Sequence, residues 1–224
     1  MKTDRTPSTP AQILREYGPF EGGPKIHGVS FDGASIWFGA GDALRAVDPE
    51  SGAETRTIKV PAHAGTAFDG KHLFQIAESR IQKIDAATGA VLSTIPAPGG
   101  GADSGLAWAE GTLWVGQYRA RKIHQIDPET GKILRTIDST RHVTGVTWVE
   151  GELWHGGATE SEDCALVRVD PKSGAVLEQI DLPQGIFVSG LESDGKDRFF
   201  CGGGSSGKIR AVAKPKTGAK PKTR

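Results

Sequence analysis

Three histidines and a carboxylate, His27, His63, Asp103 and His142, stand just ahead of glycines that recur along this 224-residue chain. Neutral imidazoles with a carboxylate suit a divalent transition metal, and a histidine so placed can act as a general base. His27 and His142 are therefore the candidate catalytic residues. His27 precedes its glycine by one residue, His63 by two and His142 by three. These unequal offsets leave open that the rings point in different directions. Ser104 and Ser189 directly precede the glycines of their own repeats. With His63 and Asp103, and with Tyr118 and Arg119 from a nearby loop, they make up the candidate ligand-binding set. Arg119, Arg121 and Arg141 could grip a carboxylate through paired donors. The same segment also reads as an ordinary solvated rim.

Other reactive residue types are read more simply. His155 and His124 fall on strand-like runs and read as packed or hydrogen-bonded residues. His72 follows a turn on the opposite face. Gly202–Lys208 (GGGSSGK) nearly matches two phosphate-binding loops. Such loops need a helix after them, whereas Lys208–Val212 reads as a strand, so the segment is taken as a hairpin loop. The two cysteines, Cys164 and Cys201, fit a reduced chain.

The elements that must position these residues are short strands. The glycines are Gly28, Gly65, Gly105, Gly145 and Gly190, spaced 37, 40, 40 and 45 residues apart. Three residues after the first four stand Phe31, Phe68, Trp108 and Trp148, with Ser193 in the fifth unit. An acidic-glycine turn follows, then a second aromatic: Trp37, Phe74, Trp114, Trp154, Phe200. A third run ends at Asp48, Asp85, Asp127 or Asp170, each followed four residues later by glycine. Four strands in a period near 40 predict a propeller blade. The fifth unit lacks its own last strand, and Ala11–Tyr17 resembles the missing piece. The fold expected is all-β, a five-bladed β-propeller closed by the N-terminal strand completing the last blade. A flexible tail covers 1–10, the propeller 11–213 with its closing strand at 11–19, and a basic low-complexity tail 214–224. The recurring aromatics read as inter-blade packing. The long loop Gly156–Ala165 accounts for the last spacing and could cap the channel mouth.

Composition narrows the function classes. Lys+Arg and Asp+Glu are 27 each, so no global nucleic-acid signature exists. Five of the cations, Lys214, Lys216, Lys220, Lys222 and Arg224, crowd the C-terminus, which leaves the body net acidic. The start, MKTDRTPSTP, shows no signal-peptide core, and no apolar run is long enough to span a membrane. A cytoplasmic protein is expected, although a processed secreted form would look the same.

The blade pattern, spelled in Gly105–Ile137 as GLAWAEGTLWVGQYRARKIHQIDPETGKILRTI, resembles bacterial propellers with YVTN-type or quinoprotein-like blades. Among these it is most similar in spelling to streptogramin B lyases and glutaminyl-peptide cyclotransferases. The resemblance covers about residues 11–218 and implies the propeller fold. In cyclotransferases Gln or Glu typically precedes the blade-opening glycine; here His27, Ala64, Ser104, Thr144 and Ser189 do. Streptogramin lyases use a histidine base with glutamate and magnesium, and His27-Gly28 looks like their His-Gly step. The expectation is small-molecule binding or processing at the channel mouth, by a metal-assisted lyase or hydrolase with a divalent metal as cofactor. The alternative is a non-catalytic scaffold for a protein or peptide partner.

Overall fold

The computed structural model describes residues 6–161 and 163–215. Among them every regular element is a strand. The chain opens with β1 (Ser8–Pro10) and β2 (Ile13–Tyr17). Blade one is β3 (Val29–Phe31), β4 (Ile36–Gly39), β5 (Leu44–Val47) and β6 (Glu54–Ile58). Blade two is β7 (Thr66–Phe68), β8 (His72–Ala77), β9 (Arg80–Asp85) and β10 (Val91–Pro96). Blade three is β11 (Asp103–Ala109), β12 (Thr112–Gln117), β13 (Lys122–Ile126) and β14 (Ile133–Asp138). Blade four is β15 (His142–Val149), β16 (Glu152–Ala158), β17 (Cys164–Val169) and β18 (Val176–Asp181). Blade five has only β19 (Gly190–Ser193), β20 (Arg198–Gly202) and β21 (Ile209–Ala213) from its own repeat.

The missing strand comes from the other end of the chain. β2 pairs antiparallel with β21, Tyr17 opposite Ile209. The inner strands touch in the cyclic order β3, β7, β11, β15, β19 and back to β3. The molecule is thus a five-bladed propeller closed by its N-terminal strand, which removes the sheet edge that an open fifth blade would expose.

The expected tail over residues 1–10 needs correction at its last residues. Ser8–Pro10 adds a parallel fifth strand to blade four, with Thr9 opposite Ile180. Gln179 N donates to Pro7 O, and Ala11 N donates to Asp181 O. Pro10 lies at the outer edge, where its missing N–H breaks no ladder. Lys214, assigned to the basic tail by composition, is 8% exposed and pairs its amine with Glu150. Residues 1–5 and 216–224 of the two tails lie outside the described residues.

Five apolar clusters hold the ring together, one between each pair of neighbouring blades. Blades three and four share Trp114, Ile123, Val146 and Val167, for example, and blades five and one share Tyr17, Val29, Phe38 and Phe200. The recurring aromatics meet across these seams. Phe74 stacks on Trp108 with centroids 5.4 Å apart, Trp114 on Trp148 at 5.5 Å, and Phe200 meets Phe31 at 5.4 Å. Ser193 cannot supply a ring to Trp154, and Phe199 takes that place at 4.9 Å.

The glycines that open each unit are explained by close approach of backbone. A Cβ on Gly28 would lie 2.4 Å from Ala64 O, on Gly65 2.4 Å from Leu106 N, and on Gly105 2.7 Å from Val146 N. On Gly145 it would lie 2.6 Å from Leu191 N, and on Gly190 2.5 Å from Val29 N. Each inner strand therefore rests on the next through a residue with no side chain, and the contacts run once around the ring.

The turns separate by acid type. Glu110-Gly111 and Glu150-Gly151 have both residues at positive φ, the signature of a two-residue hairpin turn. The Asp-Gly turns are built differently. Asp32 accepts from Ala34 N and Ser35 N, and Asp69 from Lys71 N and His72 N, so the shorter side chain caps the loop. The turns before the outer strands obey the same rule: Asp127 accepts from Glu129 N, Thr130 N and Thr130 Oγ1. Asp85 does so without a proline beside it, which makes the carboxylate the essential part of the motif.

Candidate functional site

At one end of the ring, just outside the glycines, lies a pocket of about 230 Å³. It is lined by the five residues that precede the five glycines: His27, Ala64, Ser104, Thr144 and Ser189. His63, Asp103, Tyr118 and Phe187 complete its walls. Each blade thus contributes one floor position, set by the same step in the repeat.

Local backbone contacts aim these residues. His27 N donates to Gly39 O and Ser189 N to Gly202 O, which ties both segments to the second strands of their blades. In blade two, buried Gln75 takes a bond from Thr66 Oγ1 and donates to Ala64 O, fixing that stretch of floor. In blades three and four the pairing register slips between Asp103 and Leu106 and between Val143 and Val146. A bulge at that point re-aims the residues before the glycine toward the channel mouth. The loop Gly202–Lys208 is a hairpin connection followed by β21, and its Gly204 N donates to Ser189 Oγ.

Polar capacity in the pocket is partly spent internally. Ser104 Oγ donates to Val143 O at 2.7 Å, and Ser189 Oγ donates to Ile26 O. Asp103 is 8% exposed. Its carboxylate accepts from Gly99 N at 2.9 Å and from Gln117 Nε2 at 3.3 Å. Burial pushes its pKa above the usual carboxylate range, against the pull of those two bonds. Burial pushes His27 below the ordinary histidine value, with His63 and Lys25 acting in the same direction. Each of these influences favours the neutral imidazole over the charged ring.

Of the residues singled out from the sequence, His27, His63, Asp103, Ser104, Tyr118 and Ser189 come together here. Arg119 is exposed on the rim and does not line the pocket. His142 stands behind the wall. Its ring stacks on Tyr118 with centroids 4.6 Å apart, Nδ1 meets Tyr118 O at 3.1 Å, and Nε2 meets Glu160 Oε1 at 3.2 Å. Arg121 also pairs with Glu160, so the long fourth-blade loop is latched to blade three. Arg141 donates to Gln179, away from the arginine grip that the sequence suggests. Thr144, Ala64 and Phe187 are added by the structure. The first two follow from the rule that the residue before each glycine faces the mouth. Phe187 lies in the segment entering blade five, three residues before Gly190, the offset that His142 has before Gly145.

The expected metal arrangement is not assembled. Among the described residues, no three or more His, Cys, Asp or Glu side chains stand close enough together to hold a metal ion. Asp103 is turned toward Gly99 and Gln117, and His142 toward Tyr118 and Glu160. Cys164 and Cys201 are both buried and not bridged to one another, and burial pushes the Cys201 thiol up to about 12.

The fold is that of a five-bladed propeller with a pocket of about 230 Å³ at one mouth. By sequence the chain belongs to the family whose model is described as outer membrane protein assembly factor BamB (PQQ_2), matched over residues 77–220. No curated protein matches it. Among solved structures it is similar to Myxococcus xanthus glutaminyl cyclase, with a TM-score of 0.77 at 17% identity, covering 93% of this chain and 97% of that one. It is also similar to the RRP9 WD40 repeats, with a TM-score of 0.55 at 13% identity over 93% of this chain and 99% of that one. Kuenenia stuttgartiensis hydrazine synthase matches with a TM-score of 0.52 at 19% identity, over 82% of this chain and 59% of that one. At these identities the likenesses concern the fold alone.

Proposed function

We propose that the mouth pocket binds a small polar molecule, or the polar end of a longer one, and that His27 accepts a proton from it. The observation that carries this reading is the convergence of all five pre-glycine residues with His63, Asp103, Tyr118 and Phe187 around one cavity. At about 230 Å³ it is smaller than the roughly 300–1,000 Å³ of sites for drug-sized ligands, which favours a compact occupant. Groups whose pKa values are displaced, as those of half-buried His27 and buried Asp103 are, gather at functional sites. A neutral imidazole is the form that takes up a proton in general-base chemistry. The glutaminyl cyclase neighbour raises cyclisation as a candidate activity. Against it, the five pre-glycine positions hold no Gln or Glu.

A second reading is an interaction scaffold, in keeping with a family described as an assembly factor. Its supporting observation is on the outer strands, where Val91, Leu92, Ile133, Leu134 and Leu177 are exposed on three successive blades. A scaffold of this kind would bind through its outer rim.

Thermal unfolding against a library of small polar compounds separates the readings. A ligand of the folded state raises the melting temperature by mass action. The pocket reading expects stabilising compounds whose effect disappears in His27→Ala while the variant still folds. It is contradicted if no compound stabilises, or if every stabilising compound acts equally on His27→Ala.

A further inference from the structure

We infer that the pocket ligand carries a protonated amine, which lies against Asp103 and between the aromatic walls. This rests on the reading of the mouth as a binding site and names the chemistry it selects. Asp103 lines the pocket, is more than nine-tenths buried, and among the described residues accepts only from the neutral donors Gly99 N and Gln117 Nε2. A buried carboxylate with no cation beside it is costly to ionise, and a bound ammonium supplies the missing charge.

The two serine hydroxyls agree with this assignment. A serine has one proton to give. That of Ser104 goes to Val143 O and that of Ser189 to Ile26 O. Toward the cavity these side chains can only accept. A neutral His27 carries one acceptor and one donor nitrogen. An ammonium thus finds acceptors in Asp103 and the two serine oxygens, while the donors left for an acceptor group on the ligand include the Thr144 hydroxyl, which has no hydrogen-bond partner among the described residues. Tyr118 and Phe187 line the same space, and a cation over an aromatic face gains a further attraction.

The test uses the purified full chain near pH 7.5 and three probes of similar shape: benzylammonium, benzyl alcohol and benzoate. Binding is read by NMR shifts of Ser104, Thr144 and Ser189. The inference expects benzylammonium to bind at least tenfold tighter than either other probe. It also expects Asp103→Asn, which keeps the size of the side chain, to lose at least tenfold for benzylammonium. Benzoate or benzyl alcohol binding as well as benzylammonium overturns the ammonium assignment and leaves the pocket reading standing. Unchanged benzylammonium binding in folded Asp103→Asn overturns the role of that carboxylate. The probe comparison on the unaltered protein decides the ligand class even if the variant fails to fold. No shift at the mouth with any of the three overturns the assignment and counts against the pocket as well.

Discussion

His27 sits where three influences act in one direction: burial, the neighbouring His63 and the charge of Lys25. Its ring is expected to titrate below 6.5 in an NMR pH series, and a midpoint at or above that value would contradict its assignment as a neutral base at the mouth. Cys201 offers a second check. With its thiol pushed up to about 12 by burial, it should resist thiol reagents in the folded protein and react once denaturant is added. Much of the site was legible residue by residue because one rule, the position before each recurring glycine, picks out His27, Ser104 and Ser189. The same rule covers Ala64 and Thr144, which an eye for reactive side chains passes over. His142 was drawn in by its type. It lies two residues further from its glycine than the floor position, about 6–7 Å along a strand, and so reaches the rim. Phe187 holds the same offset before its glycine as His142, but an apolar ring there carries no reactive group to single it out.

At the scale of the element, the inner-strand glycines are the sharpest constraint. Gly65→Ala would place a Cβ 2.4 Å from Leu106 N and 2.5 Å from Gly105 C, both backbone atoms of the next blade. Overpacking of this kind costs about 1–3 kcal/mol or more, so a lowered chemical-denaturation midpoint is expected, and an unchanged one would refute the close-contact ring. Two groups with displaced pKa values, half-buried Glu192 on an inner strand and buried His155 on a second strand, give opposing pH effects. Glu192 on β19 accepts from Thr147 Oγ1 and Ser193 N, and burial raises its pKa from 4.5 to about 7. Across that interval the folded state keeps a proton that the unfolded chain has lost, so stability falls as pH rises. His155 on β16 is lowered from 6.5 to about 4 by burial. There the unfolded chain binds the extra proton, so stability rises with pH over that interval. The two slopes offset each other between about pH 4.5 and 6.5. Glu192→Gln should therefore steepen the rise of stability with pH in that window, and should be the more stable protein at pH 8 by on the order of 2 kcal/mol. Denaturant midpoints over a pH series check both, and identical profiles for the two proteins would contradict them. The strand periodicity and the Asp-capped turns were readable because each is a local requirement. The bulges that turn Asp103 and Ser104 toward the mouth were not, since a register slip depends on the partner strand.

For the whole molecule, closure is the property on which the pocket depends. β2 completes blade five, and β1 ties the same segment to blade four. Deleting residues 1–17 would uncover the edge of β21 and remove Tyr17 from the seam between blades five and one. Loss of a cooperative melt and self-association on size exclusion are expected, because an exposed edge strand invites pairing with another chain. A monomer with an unaltered melt would mean that the ring holds without its closing strand. The number of blades and the closing segment were both legible, because a repeat period and a missing strand are properties of the chain order. The identity of the ligand was not, because the mouth is assembled from single residues of five blades whose chemistry no repeat fixes.

The most direct measurement of the central claim is a compound titration followed by NMR on the full chain, with the histidine rings and backbone amides observed together. The account predicts that a small polar compound shifts His27, His63, Ser104, Thr144 and Ser189 in one saturable transition, and that His27→Ala weakens it at least tenfold. Compounds that bind while moving only outer-strand residues such as Leu92 and Leu134 would contradict it, and would place the working surface of this propeller on its rim.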